Sequence, residues 1–94
     1  MSNNTMTTNR ACANAYVVVI QDADLTERAY EIVADSNRMA RLAALRWCRA
    51  HNDVDNTKQW EITRFYTEGV DDVAIEQVRD RLYGATAVFD TIYV

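Results

Sequence analysis

Cys48 and His51 are the first residues to weigh for chemistry. They stand three positions apart, so one helical turn would bring a thiol beside an imidazole. Such a pair is the start of a nucleophile and its base. It lacks a third group to orient the base and donors to hold an oxyanion. His51 is the single histidine, and an imidazole at a helix end also satisfies free carbonyls, which is the expected role here. Zinc takes about four nitrogen or sulfur ligands; His51, Cys12 and Cys48 make three in all. Asp53 and Asp55 have the spacing that opens a calcium loop, but Lys58 stands where that loop needs glycine and Arg64 where it needs a bidentate glutamate. Gly69 and Gly84 lie too far apart to form a phosphate-cradling loop. The adjacent carboxylates Asp71 and Asp72 are accounted for by a helix start. No catalytic residue, cofactor or metal is therefore expected, and the chain reads as non-enzymatic.

Ninety-four residues form one domain with one modest core. Hydrophobic residues make up 49% and charged residues 26%, a globular rather than a disordered composition. Two cysteines are too few for a disulfide framework. No run of apolar residues is long enough to span a membrane, and Met1 to Arg10 contains no secretory core. These features point to a cytoplasmic protein with free thiols. Residues 1–51 carry six arginines and five acids, whereas residues 52–94 carry four basic and nine acidic residues. The net charge of −4 argues against a general or sequence-specific nucleic-acid binder. It is also too small to imitate a row of phosphates. Nine of the ten basic residues are arginine. That suits planar bidentate contacts, but biased genomic base composition explains the same count and is the preferred reading.

The elements that would position these groups follow from pattern. Residues 1–12 are polar and are expected to be a disordered tail, leaving 13–94 as the folded domain. Ala15–Gln21 is β-branched and aromatic. A turn at Asp22–Thr26 leads to a second strand over Arg28–Ala34, with Tyr30, Ile32 and Ala34 on one face. Asp35 or Ser36 caps a helix over Asn37–Ala50, and a polar loop follows from His51. Lys58–Thr67 is a third strand, with Trp60 and Ile62 on one face and Phe65 on the other, so a bulge or an exposed aromatic must follow. Asp71 or Asp72 caps a second helix, which Gly84 stops near Tyr83. Ala85–Val94 is a final strand. The expected fold is α+β, in the order β-β-α-β-α-β, with two helices on one face of a four-stranded mixed sheet. Its core takes either Tyr16, Val18 and Ile20 or Val17 and Val19, with Ile32, Trp47, Ile62, Ile75, Val78 and Leu82.

The first helix carries the clearest signal. At 100° per residue, Met39, Ala40, Ala43, Ala44, Trp47 and Ala50 fall in one arc, which should lie on the sheet. The opposite arc holds Arg38, Arg41, Leu42, Leu45, Arg46 and Arg49. Apolar area rimmed by arginine has the anatomy of an interface. A solvated face whose leucines pack under loops is the plainer alternative. The second helix exposes Asp72, Glu76 and Asp80, either as a solvated face or as a patch for a basic groove.

The stretch from Tyr30 to Ser36 (YEIVADS), followed by Ala40, Ala43, Ala44 and Trp47, resembles a strand–Ala–Asp/Ser–helix unit of small phage and mobile-element proteins. Several anti-CRISPR proteins are among them, and the resemblance covers roughly Tyr16 to Tyr66. It implies an inhibitor that binds a CRISPR effector or another host defence complex and blocks access to target nucleic acid. That family shares no functional residues, so none is carried over. The competing expectation is a small antitoxin-like or accessory homo-oligomer.

Overall fold

The structure, a computed structural model, describes residues 14–54 and 59–94. The tail expected over 1–12 and the loop positions 55–58 lie outside them. In chain order the elements are β1 (Asn14–Gln21), β2 (Glu27–Ala34), α1 (Asn37–Val54), β3 (Glu61–Thr67), α2 (Asp72–Leu82) and β4 (Asp90–Thr91). They build the expected α+β fold, with one four-stranded mixed sheet in the order β3-β1-β2-β4.

β1 occupies the interior of that sheet because its sequence is apolar on both faces. Val17, Val18, Val19 and Ile20 are all completely buried. β2 pairs antiparallel with one edge of β1, placing Tyr30 opposite Val18. The turn between them is organised by Asp22, whose Oδ1 accepts the N–H groups of Asp24 (2.9 Å) and Thr26 (3.0 Å). Leu25 takes a left-handed conformation there, with φ 67°. β3 pairs antiparallel with the other edge of β1, and β4 pairs parallel with β2.

The helices do not share a face, contrary to the expectation from sequence. Tyr16, Val18, Ile20, Tyr30, Ile32 and Ala34 pack with Ala40, Ala43, Ala44 and Cys48 of α1. Val17, Val19 and Ala29 pack with Ile75 and Val78 of α2 and with Phe89. Successive side chains on a strand alternate between faces, so α1 and α2 cover opposite sides. Both candidate core sets of β1 are therefore core. Chain topology supplies the reason. The α1 crossover carries the chain from β2 past β1 to β3, and the α2 crossover brings it back past β1 and β2 to β4. Both join parallel strands. Such crossovers have one preferred hand, so reversing the direction of travel moves the helix to the other face.

Of the two alternatives for β3, a bulge or an exposed aromatic, the structure has the bulge. Val19 pairs with Arg64 and Ile20 with Ile62, so Thr63 is the extra residue. Its hydroxyl donates to the Val19 carbonyl at 3.3 Å. The bulge returns Phe65 to the α1 side beside Ile62 and Trp60, where the alternation alone had placed it opposite them.

Two element boundaries and the capping of α2 differ from expectation. α1 continues through His51 and Asn52 to Val54 rather than ending at Ala50. The Asn52 side chain clamps Trp60, accepting its N–H at 2.6 Å and donating to its carbonyl at 3.1 Å. Asp71 holds the N-cap position of α2, as expected, but its side chain bonds no N–H of the first turn; Asp71 Oδ2 accepts from Thr67 N–H and Asp72 Oδ1 from Gly69 N–H, each at 2.8 Å, tightening the preceding turn. Gly84 does end α2, with φ 114° and its N–H on the Arg79 carbonyl. The last strand is two residues long instead of ten. Its work is done by Phe89 and Ile92, which plug opposite faces of the sheet. Beyond β4, the Tyr83 hydroxyl accepts the Ala29 N–H at 2.8 Å and so satisfies one more edge group of β2.

On the α2 side, the Glu68 carboxyl meets that of Glu31. Their hydrogen bond, burial, and the negative charges of Glu31 and Asp72 push Glu68 up to about 7, with Arg79 opposing. The folded chain thus holds this proton more tightly than the unfolded chain does. The associated stability is complete below the ordinary carboxyl value of 4.5 and is lost as pH rises through about 7. Glu68→Gln cannot titrate, so its stability relative to the parent should increase from pH 4.5 to 7 in denaturant titrations. A difference that stays flat across that range would show the two carboxyls to be uncoupled. For packing, Ile75→Ala should cost about 2–4 kcal/mol because Ile75 is buried between sheet and helix. Leu82→Ala, at a half-buried site, should cost less. Thermal melts of the two variants check that order.

Candidate functional site

α1 is held by small residues beneath and aromatics around it. Ser36 Oγ accepts the Met39 N–H at 3.2 Å and caps the first turn. Ala40 and Ala44 are completely buried and Ala43 nearly so, which lets the helix approach the sheet closely. Trp47 fills the space beside them, its ring 5.0 Å from Tyr30 and edge-on to Trp60 at 5.7 Å.

Cys48 is buried in this seat. Burial, with Glu61 nearby, pushes its thiol up to about 11, the reverse of what a nucleophilic thiolate needs. His51 is turned elsewhere: its ring stacks on Trp47 at 3.6 Å, and Nδ1 lies 2.9 Å from the Trp47 carbonyl. The expected role at free helix-end carbonyls does not hold: α1 runs on to Val54, so the Trp47 carbonyl lies within the helix, and the imidazole is held there by the Trp47 ring and carbonyl. Among the described residues no group of three or more His, Cys, Asp or Glu side chains is placed to hold a metal ion, and no helix is long and apolar enough to cross a membrane.

The outward arc of α1 is exposed as expected. Arg38, Arg41, Arg46 and Arg49 all face solvent, with Leu42 37% and Leu45 52% exposed between them. The buried arc is rotated from its expected position. Met39, 40% exposed, and Ala50 face outward, while Cys48 faces the sheet. Met39 thus joins the two leucines. The sequence signal for this was the pair Ala44 and Cys48, four apart, which shifts the centre of the small-residue face. Arg41 differs from the other arginines. Its Nε donates to Asn37 Oδ1 at 2.8 Å and its guanidinium lies 4.2 Å from the Phe65 ring centre, so it partly covers the sheet edge.

A cleft runs along each flank of the helix. One, of about 490 Å³, lies between α1 and β3 and is lined by Leu45, Cys48, Arg49, Asn52, Trp60 and Ile62, among others. The second, of about 330 Å³, lies between α1 and the C-terminal segment and includes Arg46, Trp47, Ile92 and Tyr93. Leu45 and Arg49 border the first, whose lining is mixed and includes Asp53 and Glu61, and Arg46 borders the second, which is mostly apolar. Sequence patterning within one helix had no means of showing these clefts, because their other walls come from β3 and the chain end.

Asp72, Glu76 and Asp80 are exposed on α2, on the far side of the sheet. Val73, 72% exposed, stands among them, and Val70 in the preceding turn is 77% exposed. Neither valine was singled out from sequence. The structure does not bring the basic and acidic sets together within one chain. No family model, no curated protein and no solved structure matches this chain.

Proposed function

We propose that this chain is a non-catalytic binding protein whose docking surface is the outward face of α1. The observation that carries this reading is the exposure of Met39, Leu42 and Leu45 among four arginines, with a mostly apolar cleft beside Arg46. Apolar side chains at the centre of an interface supply most of its energy. Guanidinium groups around them supply directed contacts to carboxylates or phosphates. The partner is then an acidic surface. Joined to the resemblance to anti-CRISPR proteins, this favours a stoichiometric inhibitor, acting in the cytoplasm of a host cell, that occupies a CRISPR effector or related defence complex and excludes its target nucleic acid.

The test is a panel of purified guide-loaded CRISPR effectors, each assayed for target-DNA binding with and without equimolar chain. At least one effector should lose target binding. Arg46→Glu with Arg49→Glu should weaken that inhibition by about 2 kcal/mol, roughly thirty-fold. These two are better choices than Arg41, whose reversal would also disturb Phe65. Melting should change little, because exposed charges contribute little to stability. Glu76→Arg with Asp80→Arg is the control on the opposite face. Inhibition that survives the arginine reversals but fails with the acidic ones would place the docking surface on α2.

A further inference from the structure

The two charged faces of this fold complement each other but point in opposite directions. Among the described residues, Arg38, Arg46 and Arg49 have no ion-pair partner on α1, and Glu76 and Asp80 have none on α2. The cations of α2 are committed elsewhere. Arg81 pairs with Glu27, and Arg79 lies 4.7 Å from the Phe89 ring centre. What α2 shows outward is therefore acidic. Each face also exposes apolar side chains with its charges: Met39, Leu42 and Leu45 on α1, and Val73 at the edge of the acidic arc of α2 with Val70 in the turn before it. The dimensions agree as well. At 1.5 Å per residue, the arginines of α1 extend over about 16 Å and the acids of α2 over about 12 Å.

We propose that the chain self-associates head to tail, the Arg–Leu face of α1 in one copy docking on the acidic α2 face of the next. Symmetric pairings are disfavoured by the same charges, since α1 on α1 opposes arginines and α2 on α2 opposes carboxylates. The two faces lie on opposite sides of the sheet, so the contact is heterologous. It closes into a ring or extends into a chain of copies. Each docked copy covers the α1 face of its neighbour, and self-association therefore competes with any other acidic partner for that surface. This holds whether or not the partner is a defence complex.

The experiment uses the purified full-length chain alone, followed by sedimentation velocity. The parent's mass should rise with concentration in about 0.01 M salt, where charges act over roughly 30 Å, and return to monomer in about 1 M salt, where the reach is roughly 3 Å. Arg46→Glu/Arg49→Glu and Glu76→Arg/Asp80→Arg should each remain monomeric. An equimolar mixture of the two should associate, because each restores the charge its partner lacks, and a chain carrying all four changes should associate again. Where charge reversal disturbs α1, Arg46→Gln/Arg49→Gln should still abolish association of that variant alone. A parent that stays monomeric at every concentration overturns the proposal. So does persistent association of either reversed variant, or a mixture that remains monomeric.

Discussion

The double-sided burial of β1 is the constraint on which the other elements depend. Four consecutive residues, Val17 to Ile20, are removed entirely from water. A strand that is apolar on both faces is stable only with strands at both edges and cover on both sides. β2 and β3 supply the edges, and α1 and α2 supply the cover. Each face of the sheet carries its own core cluster under one helix, so the loss of either helix would expose half of β1. Fully burying a valine or isoleucine side chain contributes about 1.5–3 kcal/mol, which makes these four residues a large share of a typical net stability.

The two covers are built differently. α1 lies close to the sheet on alanines and is wedged by Trp47 among Tyr30, Trp60 and His51. α2 is shorter and rests on Ile75, Val78 and the plug of Phe89. Its edges are tied by polar contacts: Tyr83 on the backbone of Ala29, Arg81 on Glu27, and the Asp71 and Asp72 carboxylates in the entry turn. The Glu68 carboxyl, hydrogen-bonded to that of Glu31, lies on this side as well and holds its proton more tightly than an isolated carboxyl does.

Because the helices cover opposite faces, the molecule has two distinct outer surfaces. One presents arginines around Met39, Leu42 and Leu45. The other presents the carboxylates of Asp72, Glu76 and Asp80 with Val73 beside them. Had both helices lain on one face, these charges would have been neighbours able to neutralise each other across the helix pair. Their separation by the sheet leaves both sets facing outward.

Much of this was legible in the sequence. Local signals are short-ranged and act through neighbouring residues. Thus Asp22 marked the hairpin turn, Ser36 the start of α1, Gly84 the end of α2, and the misphased Phe65 the bulge in β3. Helical spacing likewise showed that Arg38, Arg41, Leu42, Leu45, Arg46 and Arg49 share an outward arc. Tertiary structure decided the rest. Which face each helix covers depends on strand order and crossover direction, and no single segment encodes either. Where β4 pairs is set by its meeting with β2, Asp90 and Thr91 lying opposite Tyr30 and Glu31 while the Tyr83 hydroxyl takes the neighbouring Ala29 N–H. The extension of α1 to Val54 depends on Asn52 reaching the backbone of Trp60, eight residues away. The exposure of Met39 follows from how far Cys48 turns the helix into the sheet. Periodicity within one element fixes relative directions; absolute direction comes only from the partner against which that element packs.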